Sequence, residues 1–131
     1  MNTYATHLDS VVLAAQTLRQ LGFAIGDGMG TADLTAVSPK GHRYRVIVSG
    51  LREPNIRLVK AKPTVPDTVY LFVTLDSGEI TLMTQPEVNQ GIRAHRRYRA
   101  THGHHNPRKF RSAILRAYQR RVERPLSQLS K

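Results

Sequence analysis

An α/β (α+β) fold, with a single mixed sheet, an N-terminal helix and two C-terminal helices, is predicted by three observations. Residues 8–18 carry apolar side chains at helical intervals. Residues 23–83 hold five short apolar or β-branched runs divided by turn formers. Residues 84–124 return to helical spacing.

The elements follow in order. Leu8, Val11, Val12, Ala15 and Leu18 recur at three and four, which makes one apolar helix face, and Gly22 supplies the C-terminal stop. A short run at 23–25 leads into the glycine cluster Gly26, Gly28 and Gly30, read as a hairpin tip. That cluster lacks both the Lys-Ser/Thr of a phosphate-binding loop and the spacing of a dinucleotide site. Strands are expected at 32–37 and 42–48, joined through Ser38-Pro39-Lys40-Gly41, with Tyr44, Val46 and Val48 alternating with Arg43, Arg45 and Ile47. Residues 49–66 read as a long, partly irregular connection. Residues 69–75 are apolar on both faces and predict a central strand, and Asp76-Ser77-Gly78 turns the chain into an edge strand at 79–83. Thr84 and Glu87 have capping-box spacing, with Pro86 in the first turn, so a helix is expected to about residue 100. After a histidine-rich loop at 102–106, Asn106 and Pro107 open a final helix with the buried stripe Phe110, Ala113, Ile114 and Ala117, which Pro125 ends.

A chain of 131 residues fits one domain, 1–131. The absence of cysteine excludes disulfides, thiolate zinc sites and thiol catalysis, and fits a reducing compartment. Asp9 and polar neighbours interrupt the first helix, so residues 1–21 read neither as a signal peptide nor as a membrane span, and a cytoplasmic location is expected. The formal net charge is +11, and its distribution is lopsided. Residues 1–90, the α/β core, hold eight basic and eight acidic side chains. Residues 91–131 hold ten Arg and two Lys against Glu123 alone. Arginine presents a planar fork suited to phosphate, and an ordinary solvated surface mixes its signs.

The candidate binding residues are therefore Arg93, Arg96, Arg97 and Arg99 on the first C-terminal helix, and Arg108, Lys109, Arg111, Arg116, Arg120, Arg121 and Arg124 on the second. Like charges this close repel, and a polyanion relieves the repulsion, so nucleic acid is the expected partner. An acidic protein surface or a second copy of the chain is the alternative, with Ile114, Ala117, Leu115 and Val122 as its apolar contacts. His95, His102, His104 and His105 have no supporting acid nearby and read as surface histidines, so no metal or cofactor is expected.

From the first helix through Gly22-Phe23, Thr31-Ala32-Asp33-Leu34, Gly41, 46–49 and 67–75, the chain resembles the core of the restriction-endonuclease-like, or PD-(D/E)xK, superfamily. The resemblance implies a helix packed on a mixed sheet and a metal site built from one acid plus an acid-x-lysine triplet on the next strand. Asp33 matches the first acid. The triplet falls on Ile47-Val48-Ser49, which has neither the acid nor the lysine. The expectation is a core that has lost its metal site and binds nucleic acid without cleaving it, DNA before RNA because the superfamily acts mostly on DNA. A nuclease using Mg2+ would need migrated groups, for instance Glu53 with Lys60 or Lys62 beside Asp33; Asp27 and Asp67 are the remaining acids considered.

Overall fold

The expected first helix forms α1 (Thr3–Gln20), and its end is closed by a Schellman motif. The Phe23 amide donates to the Leu18 carbonyl at 3.0 Å and the Gly22 amide to the Arg19 carbonyl at 3.0 Å, with Gly22 at φ 92°. The computed structural model describes residues 3–28, 30, 32–53, 62–102, 124–125 and 128–129, with backbone alone at 3, 94–102 and 124.

The buried ridge of α1 matches the expected one in part. Ala15 and Leu18 of the expected stripe are buried and Val11 packs against the core, but Thr6, Ser10 and Ala14 complete the inner face, whereas Leu8 and Val12 are 45% and 55% exposed. The reason lies across the interface, at Gly50. A Cβ there would overlap the Ser10 side chain, so the helix sits close enough to demand small residues on its inner ridge. The Ser10 hydroxyl, fully buried, donates to the Thr6 carbonyl at 2.7 Å and so enters the core without an orphan donor.

Among the described residues six strands follow: β1 (Ala24–Asp27), β2 (Leu34–Val37), β3 (Arg43–Leu51), β4 (Thr68–Thr74), β5 (Glu79–Thr84) and β6 (Arg124–Pro125), with α2 (Gln85–His102) between β5 and β6. They lie in sequence order in one mixed sheet, antiparallel at every pairing except β3 with β4. The fold is α+β. Gly41, at φ 88°, and the Ser38 amide bonding the His42 carbonyl at 2.8 Å close the β2–β3 turn where the turn formers stand. All seven residues of β4 are buried, as its two-sided apolar run requires of a strand covered on both faces.

One face of the sheet carries Leu34, Ala36, Val46, Val48, Val69, Leu71, Val73 and Leu82 beneath α1. The other carries Ile47, Tyr70, Phe72 and Met83 beneath Val88 and Ile92 of α2. Register explains the division, because Val46 is paired with Val69 and Ile47 with Tyr70, so neighbours on adjacent strands share a face. Burial pushes the Tyr70 hydroxyl above its ordinary pKa. The nearby Gln85 amide opposes the shift without closing a hydrogen bond of good geometry.

The C-terminal end holds two departures from expectation. Arg124, expected on the last helix, lies in β6 opposite Leu82, and Pro125 lies opposite Thr81. Proline fits there because β6 is an outermost strand, where a missing amide proton costs no ladder bond. Strand β5, expected at the edge, is thereby flanked on both sides. Leu129, which no periodic signal marks, is buried with the core on the α1 face. The expected helix over 107–123 lies outside the described residues. Among the described residues, no helix is long and apolar enough to cross a membrane.

Candidate nucleic-acid interface

The site begins where α2 is fastened to the sheet. The capping box forms as its spacing predicts: the Thr84 amide and hydroxyl donate to Glu87 Oε1 at 2.9 and 3.0 Å, and the Glu87 amide donates to Thr84 Oγ1 at 3.4 Å. Inside the first two turns, Gln85, Val88, Asn89 and Ile92 are buried. Two of these are amides, and they hold the β3–β4 crossover. Asn89 accepts from the Lys62 amide at 3.4 Å and donates to the Lys62 carbonyl at 2.8 Å, while Gln85 accepts from the Val65 amide at 2.7 Å. A parallel connection leaves its backbone without a strand partner, and these two side chains take that place.

Arg93 is the first candidate cation and is exposed, one residue beyond the last buried position. Arg96, Arg97 and Arg99 lie on the α2 backbone, which runs unbroken to His102 and so past the expected end at about residue 100. Arg108, Lys109, Arg111, Arg116, Arg120 and Arg121 lie outside the described residues, as do His104, His105 and the apolar positions Phe110 and Ile114. Arg124 sits on β6 and does not continue a helical flank with Arg116 and Arg120.

Asp33 immediately precedes β2, and both its carboxylate oxygens are engaged. Oδ2 accepts from the Val48 amide at 2.7 Å, and Oδ1 lies 3.1 Å from His7 Nε2. The arrangement follows from the lengths of the strands. β3 continues past the last β2 pair, Leu34 with Val46, so the Val48 amide faces a place where β2 has already ended. The Asp33 side chain completes that ladder, while its own amide donates to the Val46 carbonyl at 2.8 Å. His7 ties the same carboxylate to α1, and Arg52 at the end of β3 reaches Asp9 of α1 at 3.5 Å. His7 could not be found by motif, since one histidine on a helix carries no spacing signal.

The other acids stand apart from Asp33. Asp27 is exposed at the end of β1, and Glu53 is exposed after β3. Asp67, in a left-handed conformation at φ 58°, lies 3.0 Å from His42 Nε2 at the start of β4. Among the described residues, no three His, Asp or Glu side chains form a group able to hold a metal. Ile47, at the acid position of the triplet, packs under α2, while Val48, at the variable position, faces α1. Lys60 lies outside the described residues, and the Lys62 backbone is held by Asn89.

The fold and this site define an α+β protein in which a charge-neutral sheet carries an arginine-bearing helix. Comparison with protein-family models, with curated proteins and with solved structures finds no match.

Proposed function

We propose that the chain is a non-catalytic nucleic-acid-binding protein, with DNA as the favoured ligand, built on a restriction-endonuclease-like core without a working metal site. Its phosphate contacts come from Arg93, Arg96, Arg97 and Arg99 and from the basic residues that follow. One observation carries the reading: the entire +11 lies in residues 91–131, and this segment starts on a helix whose first half is capped and anchored by buried side chains. An anchored helix presents its cations at fixed spacing, so they form a track rather than a diffuse cloud. The nuclease-like core is supported by an α1 that packs on a mixed sheet and by Asp33 immediately before β2. Loss of catalysis is supported by the use of both Asp33 oxygens in holding β3 and His7.

Binding of labelled duplex DNA, duplex RNA and single strands, titrated against salt, tests this. The expected log-log slope is close to 0.9 per phosphate neutralised on B-form DNA, falling by about 1 when one contacting arginine becomes glutamine. Binding that is absent at low salt, or indifferent to salt, overturns the proposal. Supercoiled plasmid incubated with Mg2+ or Mn2+ tests the nuclease alternative, in which cleavage disappears in Asp33→Asn.

A protein-interaction surface is the second reading, favoured by Tyr4, Leu8 and Val12. These lie at four-residue intervals along α1 and are 69%, 45% and 55% exposed. Sedimentation of the wild type against Leu8→Glu/Val12→Glu tests it; identical monomeric behaviour of both removes self-association through this stripe.

A further inference from the structure

We propose that the second half of α2, from Arg93 to His102, enters the major groove of B-form DNA instead of lying along the outside of the backbone. The inference rests on the nucleic-acid reading above and deepens it.

Val88 and Ile92 are buried, and continuing their alternating steps of four and three reaches His95, Arg99 and His102. At about 100° per residue, position 99 falls within about 20° of the Val88–Ile92 line, whereas position 97 falls about 160° from position 99. Arginine positions thus fall on opposite faces of the α2 backbone. Residues 88–122 contain no Asp or Glu, so beyond Glu87 in its first turn the helix has no acidic residue of its own.

A one-sided phosphate track needs cations on one flank only. A helix bearing them on opposite sides matches an environment with negative walls on both sides, and the major groove is such an environment. The ten residues from 93 to 102 span about 15 Å, and the groove, about 12 Å wide, admits an α-helix. The A-form groove of duplex RNA is too deep and narrow to be entered in this way. Charge complementarity and groove width therefore select duplex DNA.

The test uses the full chain and four probes of one length and sequence: unmodified duplex DNA, the same duplex with glucosylated 5-hydroxymethylcytosine filling the major groove, duplex RNA, and single-stranded DNA. Unmodified duplex should bind roughly tenfold or more tightly than the glucosylated duplex and the RNA duplex, since their charge is alike and only access to the groove differs. Arg97→Gln and Arg99→Gln, on opposite sides of the helix, should each weaken binding by a similar factor. Equal affinity for the four probes overturns the groove inference and leaves the nucleic-acid reading standing, as does a loss confined to one of the two variants with unchanged helix content. Failure to bind any probe overturns both.

Discussion

Asp33 shows how one carboxylate serves the architecture where a metal ligand was the alternative. Its Oδ2 satisfies an amide that the shorter neighbouring strand leaves unpaired. Asp33→Ala should therefore cost about 1–3 kcal/mol in urea unfolding, the penalty for a buried donor without a partner. Asp33→Asn keeps an acceptor oxygen and should cost clearly less; equal losses would assign the stability to the His7 contact instead. Tyr70 offers a pH-dependent prediction. Its folded pKa is raised by burial, so its contribution to stability is complete below the unfolded value near 10 and is lost as pH rises through the folded one. Stability should decline above about pH 10, and Tyr70→Phe should flatten that decline. The same slope in both proteins would refute the assignment.

At the scale of elements, the fit of α1 to β3 sets the architecture of one face. Gly50→Ala should destabilise the protein by about 1–3 kcal/mol, as overpacking does, and a compensating Ser10→Gly should recover part of the loss. Strict additivity of the two changes would show that they do not meet. On the outward side of the same helix, Leu8→Gln/Val12→Gln should shift stability by no more than about 0.5 kcal/mol per site, whereas Leu18→Ala should cost about 2–5 kcal/mol. Periodicity located α1 to within a few residues and placed Ala15 and Leu18 inward, but it could not show that polar Thr6 and Ser10 would be inner while Leu8 and Val12 face out. Residues 6, 10, 14 and 18 also recur at helical spacing, and the choice is made by Gly50, which meets Ser10 from forty residues further along the chain. The capping box on α2 was legible because its two partners lie three residues apart. The Asn89 link to Lys62 was not, because its partners meet only after β4 and β5 have formed.

For the molecule as a whole, the dominant fact is the split between a neutral core and a strongly cationic last third. Repulsion among those cations opposes helix formation beyond Ile92, and salt screens it. Between 0.01 and 0.15 M salt the Debye length falls from about 30 to about 8 Å. Amide hydrogen exchange over residues 93–102 should slow across that range while exchange in β4 stays unchanged. Exchange in both regions indifferent to salt would mean that repulsion does not strain the helix.

The sequence by itself determined the number and order of the strands from 24 to 84, the stop at Gly22, the start of α2 and the location of all the net charge. Each of these rests on residues close together in the chain or on simple counting. Only the tertiary structure decided that Leu8 and Val12 face outward, that Asp33 completes a ladder with Val48, that Arg124–Pro125 closes the far edge of the sheet and that Leu129 returns to the core. Those outcomes depend on how far one strand outruns its neighbour and how closely a helix approaches a glycine. Such quantities exist only once distant segments have been brought into contact.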